Sequence, residues 1–132
     1  MSGTAYLDAS AAVKLLVNEP ESSALTALLS AADLLISSEI LVVELACFVN
    51  RRGSNRAAER QRRLLRQCEL VAFLPELRDR AAAPFTPPQR ALDAIHLATA
   101  LHLGTKMLAF VSYDHQQLAA AEASGLSCRS PA

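Results

Sequence analysis

Four carboxylates stand where the hydrophobic pattern leaves little room for charge: Asp8, Glu44, Asp93 and Asp114. Asp8 and Asp114 each follow an apolar, strand-like run. Glu44 is the only polar residue between Ile40 and Val49, and its helical neighbours Leu41, Cys47 and Phe48 predict no solvated face for it. Asp93 lies in RALDAIHLATAL, apolar nearly all round and so expected to be buried, with His96 one turn later on the same face. Glu39 competes with Glu44, but it falls in the first turn after Ser37 and Ser38, where a carboxylate complements the helix dipole. Glu19, Glu21, Glu59, Glu76, Asp79 and Glu122 read as ordinary surface charge.

Bringing such acids together is unfavourable. Two carboxylates ~4 Å apart repel by ~4 kcal/mol at an effective dielectric near ~20, before desolvation is added. A cation must compensate, and the Arg and Lys residues stand mostly elsewhere. An oxygen-only ligand set prefers a hard ion, Mg²⁺ or Mn²⁺. Carboxylates around such an ion suit hydrolysis of a phosphodiester, because the metal polarises the phosphate, generates the nucleophile and stabilises the leaving oxygen. Ser10 and Ser112, each two residues from one of these acids, either hold a carboxylate or a metal-bound water, or serve as cap and turn residues. Each acid taken alone reads more readily as a cap, a buried ion-pair partner or a surface position; the four together weaken that reading.

The elements that must position them alternate. TAYLDAS, DLLISS from Asp33, ELVAFLP from Glu69 and KMLAFVSYD from Lys106 are short apolar runs ending in polar residues, the pattern of strands in a buried parallel sheet. Helical patterns cover about 10–17, 20–31, 38–52, 55–67, 89–103 and 115–124, which predicts a doubly wound α/β fold with Asp8 and Asp114 at the carboxyl edge of the sheet. Pro84, Pro87 and Pro88 interrupt the chain, with Pro88 welcome at the start of a helix beginning at Gln89 and Thr86 or Pro87 near its cap. Gly125 ends the last helix, and LSCRS after it is a short edge strand.

Composition bounds the rest. A length of 132 residues predicts one domain, and 52% apolar residues with 20% charge and a mean hydropathy of +0.20 exclude disorder as the main state. Twenty-five alanines against four glycines favour helices. No stretch approaches the ~18 uncharged apolar residues of a membrane span, and Asp8 interrupts any leader, so a cytoplasmic protein without membrane association is expected. Cys47, Cys68 and Cys128 form no C-x-x-C pair and indicate neither a disulfide framework nor a zinc site. The net charge is zero, yet seven arginines lie between Arg51 and Arg66 against the single acid Glu59. Arg52, Arg56, Arg60 and Arg63 recur at helical spacing and are expected to form one basic stripe, either tracking RNA phosphates or forming a solvated face or a surface for an acidic partner.

In order along the chain, the motifs YLDASAAVKLLVNEPES, SSEILVVELACFVNRR, ALDAIHLATAL and VSYDHQQLAAAEASGL resemble those of the PIN-domain ribonucleases, specifically the VapC-type toxins of bacterial toxin–antitoxin pairs. The resemblance runs essentially end to end. It implies a single PIN domain over 1–132 with a three-layer α/β fold, a parallel five-stranded sheet flanked by helices. It implies a Mg²⁺-dependent endoribonuclease, with Mn²⁺ able to substitute, in which Asp8, Glu44, Asp93 and Asp114 are the catalytic, metal-binding acids. Ser10, Ser112 and His96 support them; Ser112 stands where many members have Thr, which keeps the hydroxyl. It further implies a homodimer and a VapB-type antitoxin, forming a type II module, with a groove near the N-terminal helices that leaves some of Leu25, Leu28 and Leu29 exposed until the partner covers them. The alternatives are a noncatalytic PIN-like module binding RNA or protein, and a haloacid-dehalogenase-like phosphatase, whose second Asp is missing from Asp8-Ala9-Ser10.

Overall fold

β1 (Thr4–Leu7) carries Ala5, Tyr6 and Leu7 fully buried on both faces, and that is possible only for the central strand of a sheet covered on both sides. The computed structural model describes residues 3–104 and 108–132. In chain order the helices are α1 (Ala9–Ala12), α2 (Ser22–Ser30), α3 (Ile40–Arg52), α4 (Asn55–Gln67), α5 (Pro75–Ala81), α6 (Ala91–Leu103) and α7 (His115–Ala123). The remaining strands are β2 (Leu34–Ser38), β3 (Cys68–Val71), β4 (Leu108–Val111) and β5 (Ser127–Arg129). All five strands pair in parallel in the order β3-β2-β1-β4-β5. The chain thus starts in the middle, builds outward to one side, and returns to build the other. Between β1 and β4 the direction of winding reverses, which opens a crevice beyond their carboxyl ends.

Alternation along the strands divides the core. Ala5, Leu7 and Val111 join Leu25, Leu41, Leu45 and Leu64 on one face, whereas Tyr6 and Phe110 join Leu97, Ala100 and Ala121 on the other. Helices α1 to α4 cover the first face, α6 and α7 cover the second, and α5 packs against α6. The expected three-layer α/β architecture with a parallel five-stranded sheet is the one observed. No helix among the described residues is long and apolar enough to cross a membrane.

Several boundaries differ, each for a local reason. The helix expected over 10–17 is α only to Ala12 and tightens into a 3-10 turn over Val13–Leu15. α5 was not expected: seven residues show too little periodicity to register, although Pro75 is its first residue. The helix expected from Gln89 begins at Ala91 with Arg90 as its N-cap, leaving Pro88 outside; the Gln89 amide is spent on the carbonyls of Pro87 and Gln116. β3 starts at Cys68, one residue early, and β4 runs from Leu108, Lys106 and Met107 lying outside the described residues. Leu25 and Leu29 are core residues, so the exposure expected among these leucines is confined to the half-buried Leu28.

The basic stripe is not continuous. Gly53 adopts the left-handed conformation (φ 68°) that closes α3, and the Ser54 hydroxyl then accepts from Ala57 N to start α4. Arg52 therefore ends one helix, with its guanidinium 5.9 Å from the Phe48 ring centre, while Arg56, Arg60 and Arg63 belong to the next.

Candidate active site

β1 delivers Asp8 to the crevice at the switch point, where it is 2% exposed and acts as the N-cap of α1, accepting from Ala11 N at 3.0 Å. The Ser10 hydroxyl lies 2.8 and 3.0 Å from its two oxygens and itself accepts from Tyr113 N. Ser112, following β4, sits 3.1 Å from Asp8 Oδ2 and 2.9 Å from Gln117 Oε1, so its one proton serves two acceptors, while its oxygen accepts from Asp114 N. Burial pushes the Asp8 carboxyl above its usual range, opposed by the Ala11 amide and the Ser10 hydroxyl. The two serines thus tie β1 to the loop after β4.

Asp114 caps α7 through Gln116 N and Gln117 N, at 3.0 and 3.1 Å. It shares a cleft of about 400 Å³ with Asp93, from the first turn of α6, and with Arg90 and Gln116. The Asp93 carboxyl is raised first by burial and then by the charge of Asp114, with Glu44 adding to it and His96 and Arg90 opposing. Asp93 therefore senses two of the other three acids.

Glu44 approaches from α3, on the opposite face of the sheet from α6. Its Oε1 lies 2.6 Å from Nε2 of His96, which is 1% exposed and whose Nδ1 lies 2.8 Å from the Tyr6 hydroxyl. The expectation that Glu44 has no exposed surroundings is overturned. Val43 is 64% exposed and Val42 and Cys47 are exposed as well, and together with Leu92 of α6, 48% exposed, Val43 and Cys47 border a largely apolar groove of about 550 Å³ with Glu44 at its wall. An apolar run reads as burial in a sequence, but here one side of α3 is left uncovered. Asp93 and Leu92 likewise stand at the exposed start of a helix that is buried only from Ala94 onward.

Glu39 is the N-cap residue of α3, but its side chain makes no capping hydrogen bond. Its carboxylate accepts from Phe73 N and so fastens the loop after β3. Arg60 and Arg63 of the expected stripe are not brought to the acids, whereas Arg51, just ahead of it, lines the same groove as Glu44. Arg60 bonds the Leu16 carbonyl at 3.4 Å, and with Arg63 it lines a small pocket with Leu15, Leu64 and Gln67. The last three also line the cavity at the start of β2, the opposite edge of the sheet from Asp8. Arg90, Gln117 and Tyr6 are the site's neighbours that the sequence reading missed. Arg90 and Gln117 look like surface residues in QQ and PQR contexts, and Tyr6 looks like core. The Cys68 and Cys128 thiols are pushed up to about 11 by burial, in keeping with inert cysteines.

The donor chemistry of the set fits a hard divalent ion: four carboxylates, hydroxyls, and mutual repulsion recorded at Asp93. As they stand, no three His, Cys, Asp or Glu side chains among the described residues converge closely enough to hold an ion. The acids form instead a buried Asp8 with two serines, an Asp93–Asp114 cleft and a Glu44–His96 pair along one edge.

The PIN-domain family model matches residues 5–123. Ribonuclease VapC47 of Mycobacterium tuberculosis is 35% identical over 130 residues, and ribonuclease VapC46 of the same species is 36% identical over 126, the match covering 96% of both chains in each case. Among solved structures, that of M. tuberculosis VapC20, a toxin that cleaves the sarcin–ricin loop, superposes with a TM-score of 0.72 at 18% identity, covering 88% of this chain and 94% of that one. The VapBC2 complex of Rickettsia felis, bound to a fragment of its promoter DNA, gives 0.67 at 16% identity, covering 96% and 97%. With the sheet order, the end-to-end identity and the family match in agreement, the chain belongs to the PIN-domain family, among the VapC-type ribonucleases.

Proposed function

We infer that this single PIN domain is a Mg²⁺-dependent endoribonuclease, with Mn²⁺ able to substitute, and the toxin of a type II toxin–antitoxin module. The observation that carries the reading is that Asp8, Glu44, Asp93 and Asp114 all stand along the carboxyl edge beside the switch point, Asp93 and Asp114 sharing one open cleft. Carboxylates set this near one another repel, as the influence of Asp114 and Glu44 on Asp93 shows, and a cation drawing them together would offset that repulsion.

Asp8, Glu44, Asp93 and Asp114 would hold the ion, which supplies polarisation of the phosphate and a nucleophile at neutral pH. Ser10 and Ser112 keep the Asp8 carboxylate oriented, and His96 does the same for Glu44. Arg90, beside Asp93 in the open cleft, offers the nearest guanidinium to an RNA phosphate there. Partners belong to the same reading: a VapB-type antitoxin, and a second copy of the chain, for which the uncovered side of α3 around Val42 and Val43 supplies apolar surface.

The test is incubation of purified total RNA with antitoxin-free protein in Mg²⁺ and in EDTA. Discrete fragments that form only with the metal support the reading. Intact RNA in both conditions, from folded protein that binds Mn²⁺, would turn it toward a noncatalytic RNA- or protein-binding module.

A further inference from the structure

We propose that Tyr6 is a positioning residue for Glu44: its hydroxyl donates to His96 Nδ1, which leaves the imidazole proton on Nε2 for Glu44 Oε1. This deepens the nuclease reading and rests on it for its consequence, though not for its geometry. The two contacts are 2.8 Å and 2.6 Å, and both Tyr6 and His96 are shut off from solvent. A carboxylate accepts only, so the Nε2 that meets Glu44 must carry the hydrogen. A buried phenol needs an acceptor for its own proton, and among the described residues Nδ1 is its one partner at hydrogen-bond distance. The neighbouring hydroxyls of Ser37 and Thr99 donate to the carbonyls of Leu7 and Ile95, at 2.6 and 2.7 Å, and so have no proton to offer the Tyr6 oxygen.

The chain of donors runs one way, from Tyr6 to His96 to Glu44, and it crosses all three layers. Tyr6 is on the central strand, His96 on α6 of one face, and Glu44 on α3 of the other. Neither ring can turn freely. Tyr6 stacks on Phe110 at 5.5 Å and 11°, and the imidazole meets Tyr6 edge-on at 5.7 Å and 77°. Among the described residues Glu44 Oε2 has no hydrogen-bond partner, so the relay holds one oxygen of the carboxylate and leaves the other to the site.

The experiment reads the His96 ring nitrogens by ¹⁵N NMR in the full chain without metal, for the wild type and Tyr6→Phe, and then compares cleavage kinetics. A neutral ring protonated at Nε2 is expected in the wild type. The preference should be lost in Tyr6→Phe, with kcat lowered about tenfold to a hundredfold while KM for RNA stays nearly unchanged. His96→Gln keeps an N–H toward Glu44 without needing Tyr6, so adding Tyr6→Phe to it should cost nothing more. A wild-type ring protonated at Nδ1, or at both nitrogens, overturns the proposal, as does a Tyr6→Phe protein with the same tautomer and rate. Should Tyr6→Phe fail to fold, the wild-type tautomer decides. Should no RNA be cut by any form, the nuclease reading fails while the tautomer still reports on the relay.

Discussion

Asp8 and Asp114 each cap a helix, and each also belongs to the carboxyl edge, Asp8 buried among the serines and Asp114 lining the open cleft. A charge is not needed for the first, because Asn caps about as well as Asp. Asp114→Asn is therefore expected to keep stability within ~0.5 kcal/mol in urea denaturation while losing cleavage, a separation that alanine could not give. Asp93 carries a different signature. Its carboxyl is raised, so between the ordinary carboxylate range and that raised value the folded chain holds a proton that the unfolded chain has released; stability falls as pH rises through this window and is level above it. Metal-free Asp93→Asn escapes this loss and should melt above the wild type at pH 7, with the gap closing as pH falls through the window, as followed by thermal scans. These acids were legible in the sequence because charge inside an apolar run is conspicuous. Arg90 and Gln117 were not, because a polar residue on a helix or beside prolines looks like surface until the fold turns Arg90 to the cleft and buries Gln117 against Ser112.

At the scale of elements, the long strands and helices followed from periodicity, and the errors fell where periodicity is short or ambiguous. α5 is seven residues, and the arginine stripe spans a break that only the Gly53-Ser54 pair announces. That break separates Arg52 from Arg56, Arg60 and Arg63 and sends α4 back toward the start of β2, away from the acids. Ser54 is the cap that restarts the chain, so Ser54→Ala should cost about 1 kcal/mol in urea denaturation. Because α4 lies on the far side, the same change should leave the rate of RNA cleavage close to that of the wild type when assayed well below the melting temperature. The apolar run of α3 misled in another way. Hydrophobicity marks what must be covered without saying whether the chain itself or a partner covers it, and Val42 and Val43 are left uncovered here.

For the whole molecule, the order β3-β2-β1-β4-β5 places the reversal of winding beside β1, and the acids gather at that crevice from four separate elements. If the exposed side of α3 is the contact between two copies, Val43→Glu should change the solution mass measured by light scattering from dimer to monomer, while altering the stability of the isolated fold by no more than ~0.5 kcal/mol. An unchanged mass would remove that surface from the assembly. The most direct measurement is cleavage of purified total RNA in Mg²⁺ by the wild type and by Asp93→Asn, with EDTA controls and the fold of each protein verified. Discrete fragments from the wild type, abolished by EDTA and reduced at least about a hundredfold in Asp93→Asn, are the predicted result. Equal cleavage by Asp93→Asn, or fragments that persist in EDTA, would contradict the assignment of the carboxyl edge as a metal-dependent nuclease site.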